Sequence, residues 1–377
     1  MKSRARVLSV LVAVAGLVLM LAASPALAAK GGKGGQGAKG GQGGSSLQSC
    51  TVQSYAYDSG GQPGAGFPND PLFARQWGLQ QIHAPQAWAR GVLGAGTTIA
   101  VVDTGVDLTH PDLQANLVAG TDIAAGKTDC PPGPQDENGH GTHVAGIAAA
   151  VTNNGIGVAG TAPDARIMPV RVLDASGSGS SDDVAAGIIY AADHGADVIN
   201  LSLGELPVVS QIAPLNEGIS NAIEHAWAQG SLVVAAAGNE TFPLCDSPAF
   251  EHHAVCVGAT DSRGLPTFYS NFPNNQDLVG VRAPGGVGSV FCEDDEDVWS
   301  TMWPGSDFEC PGGIAGYETL AGTSMATPYV SGVAALLAGQ GLTNQQIVDR
   351  LEATSSNHGA YDPVYGYGIV DADAATQ

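Results

Sequence analysis

The sequence predicts an α/β fold with a mostly parallel central sheet flanked by helices, and three observations carry that prediction. Short apolar, β-branched runs alternate with longer Ala-rich or amphipathic stretches. The runs lack polar alternation, so they read as strands buried on both faces. Charged residues make up only 13% of the 377 residues, against a usual ~25%.

The elements follow in order. Thr97–Val102 (TTIAVV) predicts a first buried strand ending at Asp103, and the Ala-rich Val144–Val151 predicts a helix. Ile167–Leu173 is a second strand, Asp182–His194 a helix, and Asp197–Ser202 a third strand. Ile219–Gln229 reads as helix, Leu232–Ala237 as strand, and a small-residue helix opens at Ser324 and runs to Leu337. Repeated strand–helix alternation is the signature of an open parallel sheet. In such sheets ligands gather at the carboxyl ends of the strands. Asp103, Ser202 and Asn239 all fall there.

The N-terminus has the grammar of an export signal. Lys2, Arg4 and Arg6 precede the apolar run Val7–Ala23, and Ala26 and Ala28 supply the small residues of a cleavage site. An uncleaved signal anchor is the alternative reading. With residues 1–28 removed as a signal peptide, the expected product is exported. No later stretch reaches the ~18 apolar residues of a membrane span. Residues 29–67 read as a Gly-rich spacer (KGGKGGQGAKGGQGG, Lys30–Gly44) and a short N-terminal segment, and residues 68–377 as one packed domain.

Formal net charge is −22, and from Pro68 onward eight basic residues face 35 acidic ones. An acidic surface excludes the usual electrostatic route to nucleic acid or anionic lipid. The six cysteines, Cys50, Cys130, Cys245, Cys256, Cys292 and Cys310, are an even number in an exported chain, so three disulfides are the default. Fifteen pairings are possible. Proximity in sequence points to Cys245–Cys256 and Cys292–Cys310, which leaves Cys50–Cys130.

Taken singly, Asp103 could cap a turn, His140 could be a helix-start residue, and Ser324 could be an N-cap. Together they are a Ser/His/Asp set. The segments VDTGVDLTHPDL (Val102–Leu113), NGHGTHVAG (Asn138–Gly146) and GTSMATP (Gly322–Pro328) resemble the Asp, His and Ser blocks of the subtilisin-like serine peptidases. Their order along the chain is that of subtilisin, a worked example of the general rule. AAAGN (Ala235–Asn239) resembles the oxyanion-hole block of that family. NDPLFARQWGLQQIHAPQAW (Asn69–Trp88) and AAVTNNGIGVAGTAP (Ala149–Pro163) place the similarity closest to the thermitase branch. The likeness runs from about Pro68 to Ala375.

The resemblance implies a three-layer subtilisin-like fold and a serine endopeptidase acting on proteins or peptides, expected to be a monomer; a narrow-specificity processing peptidase and a catalytically inert peptide-binding scaffold are the alternative readings. Ser324 would be the nucleophile, His140 its base, and Asp103 the group orienting His140. Asn239 and the Ser324 amide would hold the oxyanion. His143, the rival base, is expected to be packed structure. Gly177-Ser178-Gly179 and Ser202-Leu203-Gly204 would pair with an extended substrate. Asp246, before Ser247-Pro248, would sit at or beside the floor of the pocket for P1, the residue on the amino side of the scissile bond. It would then favour Arg or Lys there; the alternative is a broad apolar or aromatic preference with Asp246 facing water.

A Ca2+ ion is also implied, held by Asp70, Asp112 and Asn154 side chains and the carbonyls of Val151, Ile156 and Val158. Hard oxygen ligands suit this ion. Glu293–Asp297 (EDDED) is a further acidic run that reads as a cation site or a solvated loop. Two features depart from the family pattern. Tyr329 stands where His is common, and the residues between Ala28 and Pro68 are too few for a separately folded propeptide.

Overall fold

A computed structural model of the chain describes residues 68–124, 133–205, 217–289, 291, 293–309 and 312–377. The stretches read as signal peptide and spacer, and Cys50, Cys130, Cys292 and Cys310 with their expected pairings, lie outside the described residues. Cys245 is bonded to Cys256, as proximity in sequence predicts.

The chain opens with helices α1 (Trp77–Gln81) and α2 (Ala84–Trp88). Strand β1 (Thr98–Asp103), the short β2 (Thr121–Asp122), helix α3 (His140–Ala149) and strand β3 (Arg166–Arg171) follow. Next come α4 (Ser181–Asp193), β4 (Val198–Leu201), α5 (Glu217–Gln229), β5 (Leu232–Ala236), β6 (Ala254–Thr260) and β7 (Gly280–Pro284). The ribbon β8 (Val298–Thr301) and β9 (Tyr317–Leu320) precedes the long α6 (Thr323–Gly339), α7 (Asn344–Thr354) and α8 (Ala372–Ala375).

Seven strands form one sheet in the order β2-β3-β1-β4-β5-β6-β7. Every pairing in it is parallel; β8 and β9 pair antiparallel in a separate ribbon. The predicted strands are present to within two residues. Their alternation decides the layers. Ile99 and Val101 point into a core shared with Val144 and Ile147 of α3 and Val330, Val333 and Leu337 of α6. Ala100 and Val102 point into the opposite core with Val184 and Ile188 of α4 and Ile223 of α5. Successive strand residues face opposite sides, so an apolar run needs cover on both. The result is three layers. Truncating a residue such as Ile99 to Ala would cost ~2–5 kcal/mol.

Sheet geometry places the site. Asp103 is the last residue of β1, Ser202 follows β4, and Asn239 follows β5, all at carboxyl ends of neighbouring parallel strands. Helices α3 and α6 share the first core, and His140 and Ser324 lie in their first turns.

Candidate active site

His140 Nδ1 meets Asp103 Oδ1 at 2.8 Å. Asp103 is fully buried, and the same Oδ1 accepts from the Thr104 N–H at 2.7 Å. Burial alone would depress the His140 imidazole, but the Asp103 charge and hydrogen bond outweigh it and hold His140 above its ordinary value. Asp136 adds to that effect. A histidine held this way keeps Nδ1 protonated and leaves Nε2 free to act as a base.

Ser324 Oγ donates to the Ser202 carbonyl at 3.1 Å, while Ser202 Oγ donates to the Ser324 carbonyl at 2.8 Å. This reciprocal pair is anchored deeper. Ser331 Oγ donates to Asn200 Oδ1 at 2.8 Å, and Asn200 Nδ2 donates to Ser202 Oγ at 3.0 Å. The third turn of α6 is thereby tied to β4 and, through Ser202, to Ser324.

Asn239 is oriented by its oxygen. Its Oδ1 accepts from the Thr323 N–H at 2.9 Å and from Thr323 Oγ1 at 3.1 Å, so its Nδ2 is turned outward as a donor. A Cβ built on Gly322 would lie 3.6 Å from Ser324 N and 3.7 Å from Asn239 Nδ2. Both donors therefore flank the position that a side chain at residue 322 would take.

His143 is fully buried and bonded through Nε2 to the Glu318 carbonyl at 3.1 Å, with burial pushing it down to about 3. It is packed structure, as the sequence reading expects. Tyr329 is likewise buried in the core.

A cleft of about 460 Å³ runs past His140 and is lined by both expected substrate segments, Gly177, Ser178 and Gly179 and Ser202, Leu203 and Gly204. Asp246 is not on its surface. It is buried behind Gly204 and Gly238: a Cβ on Gly238 would lie 2.4 Å from Asp246 Oδ2. Asn271 Nδ2 donates to Asp246 Oδ1 at 3.1 Å and to Glu240 Oε2 at 3.0 Å, bridging the two carboxylates. Burial and the neighbouring Glu240 push Asp246 up to about 7, with Glu205 adding to it. No cationic side chain among the described residues pairs with these three.

The residues implied for calcium also converge. Asp70 accepts from the Asn153 and Asn154 N–H groups at 2.8 and 3.2 Å. Asp112 is fully buried, accepts from Asn154 Nδ2 at 2.7 Å and from the Val158 N–H at 2.9 Å, and lies close enough to Asp70 to feel its charge. Burial is the main cause that pushes Asp112 up to about 7. Val151, Asn154, Ile156 and Val158 belong to one loop, and the carbonyls of Val151, Ile156 and Val158 accept no hydrogen bond from the described residues. The Asp70 and Asp112 carboxylates, together with carbonyls of the same loop, are hard oxygen donors of the kind that suit Ca2+, while the Asn154 side-chain oxygen accepts from the Ile156 N–H at 3.0 Å. The EDDED run does not converge in this way. Asp295 pairs with Arg75, and Asp297 accepts from the N–H groups of Val287, Gly288 and Ser289.

Sequence reasoning missed Asp136. Its fully buried carboxylate accepts from Thr104 Oγ1, Thr142 Oγ1 and the N–H groups of Asn138, Gly139 and Thr142, at 2.6 to 3.0 Å. It fixes the turn that presents His140. An acidic residue just before a helix start is a capping signal that could have drawn attention to it.

Comparison with known proteins agrees with this geometry. The model of the subtilase family matches residues 94–368. Thermitase of Thermoactinomyces vulgaris is 45% identical over 82% of this chain and 99% of its own length. Subtilisin Savinase of Lederbergia lenta is 41% identical over 80% of this chain and 98% of its own. Among solved structures, a protease of Pseudoalteromonas arctica PAMC 21717 superposes with a TM-score of 0.68 at 34% identity, covering 82% of this chain and 98% of that one. With the family matched across most of the chain and the sheet and helices in place, the protein belongs to the subtilase family of serine endopeptidases.

Proposed function

We propose that this chain is an exported, calcium-stabilised endopeptidase whose nucleophile is Ser324. The observation that carries the reading is the hydrogen bond between buried Asp103 and His140, together with two amide donors, Ser324 N and Asn239 Nδ2, that flank the position of residue 322. A peptide lying between Gly177–Gly179 and Ser202–Gly204 presents its carbonyl to those donors. Ser324 Oγ leaves the Ser202 carbonyl, passes its proton to His140 Nε2 and bonds to the carbonyl carbon. The oxygen takes up the negative charge between the two donors, and Asp103 stabilises the imidazolium. His140 then protonates the leaving amine as the C–N bond breaks. Water, deprotonated by the same imidazole, hydrolyses the acyl-enzyme and restores Ser324.

Calcium takes no part in these steps. Asp70, Asp112, Asn154 and the carbonyls of Val151, Ile156 and Val158 would hold it, and its charge would neutralise two carboxylates and pin the segment near Asp70 to the domain. Export rests on the N-terminal signal grammar. Among the described residues no helix is long and apolar enough to cross a membrane. For substrate choice, the buried Asp246 with Glu240 and Glu205 supports a preference for Arg or Lys at P1, because a cation there would offset negative charge that nothing else pairs.

The direct test is hydrolysis of a casein or peptide substrate by the secreted protein and by Ser324→Ala. Loss of a nucleophile in a triad of this kind costs on the order of 10⁶ in kcat, a value known from subtilisin itself. Undiminished hydrolysis by Ser324→Ala would refute the assignment.

A further inference from the structure

Phe308 is an aromatic residue with 43% of its surface exposed, and it lines the same cleft as His140, Asn138 and Gly177. Isolated exposed aromatics are common on protein surfaces. This one differs because the loop carrying it is seated on the turn that presents His140. Ser306 Oγ donates to the Asn138 carbonyl at 2.5 Å, and the Phe308 N–H donates to Ser306 Oγ at 3.1 Å. The loop is closed by the Ser306 N–H on the Trp303 carbonyl at 3.0 Å and the Glu309 N–H on the Ser306 carbonyl at 3.2 Å. The contact with the turn is tight. Gly139 has φ of 111°, and a Cβ there would lie 2.4 Å from Ser306 Oγ and 2.7 Å from Met302 Sδ.

We infer that Phe308 is a specificity-determining residue that selects a bulky apolar side chain at P2, the residue preceding P1; the inference rests on the peptidase reading of the cleft. An extended peptide sends alternate side chains to opposite sides. If P1 enters toward Gly204, Gly238 and Asp246, P2 points the other way, toward His140. Phe308, whose loop is seated on the turn presenting His140, is among the apolar residues that line the cleft, with Leu173, Val184, Leu203 and Ile219. An aliphatic or aromatic P2 covers the ring and is stripped of water at no polar loss. A charged or amide P2 is desolvated against it without a partner. Pocket contacts of one or two carbon groups discriminate by about 10–200-fold.

The test uses the secreted enzyme with Phe308→Ala and Phe308→Leu. Each is first titrated with phenylmethanesulfonyl fluoride, and kcat/KM is then measured on matched peptides varied at P2 or at P4, and on a single-residue ester lacking P2. Phe308→Ala should cut the Leu-over-Asp preference at P2 about tenfold, and Phe308→Leu should cut it less. P4 preference and ester turnover should hold. An unchanged P2 ratio in titratable enzyme, or P2 and P4 ratios falling together, would overturn the role of Phe308 alone. If Ser324 takes up no label even in the unaltered protein, the peptidase reading itself fails.

Discussion

Thr104 Oγ1 donates to Asp136 Oδ1 at 2.9 Å, joining the residue after Asp103 to the turn before His140. The two halves of the Asp–His pair are therefore positioned against each other by a second carboxylate. Among the described residues no Lys or Arg pairs with buried Asp136, and five hydrogen bonds hold it.

Replacing that carboxylate should weaken the site and change its titration. Asp136→Asn removes a negative charge that helps to raise His140, so the imidazolium gives up its proton at lower pH. The acidic limb of the kcat/KM profile should shift to lower pH, and stability should fall by roughly 1–3 kcal/mol because a strongly bonded acceptor is lost. A destabilised variant with an unmoved pH limb would show that Asp136 acts on the fold only.

Calcium should stabilise without being needed for the chemistry. Saturation at 100 times its dissociation constant corresponds to ~2.7 kcal/mol. EDTA should lower the melting temperature, and Asp112→Ala should remove most of that difference. An unchanged melting temperature after chelation would contradict the assignment of Asp70 and Asp112.

Charge at P1 should depend on Asp246 and on pH. Asp246 is pushed up to about 7, so it becomes more negative as pH rises through neutrality. The Arg-over-Phe ratio in kcat/KM should rise between pH 6 and 8, and Asp246→Asn should flatten and lower it. A preference for Phe or Leu that the substitution leaves unmoved would place Asp246 outside the pocket.

Met325 follows Ser324, the proposed nucleophile, and is buried. Its sulfoxide would put bulk and polarity beside the two amide donors. Mild peroxide should reduce activity while far-UV circular dichroism persists, and Met325→Ala should resist. Equal loss in both proteins would point to a different target.

How much of this was legible in the sequence depends on whether a feature is local. β1 and β5 are unbroken apolar runs, and their places in a parallel sheet follow from that. β6 and β7 escaped notice because Gly258, Arg282 and Pro284 interrupt them. Arg282 fits a fully buried strand only because the carbonyls of Ala259 and Val364 accept from its guanidinium, a solution that tertiary structure alone supplies. The Asp, His and Ser blocks were readable because each is a contiguous motif. Asp136 was not, since its partners come from Thr104 and Thr142 on either side of it. Phe308 lies in a loop with no periodicity to flag it. The burial of Asp246 needed the fold, although its position before Ser247-Pro248 did not.

Ser324, activated through His140 and Asp103, is proposed to form the covalent intermediate, and labelling with phenylmethanesulfonyl fluoride followed by mass spectrometry of the digested protein tests this. One adduct is expected, on Ser324, appearing in step with the loss of peptide hydrolysis and suppressed in His140→Ala. An adduct elsewhere, or full inactivation with Ser324 unmodified, would contradict it.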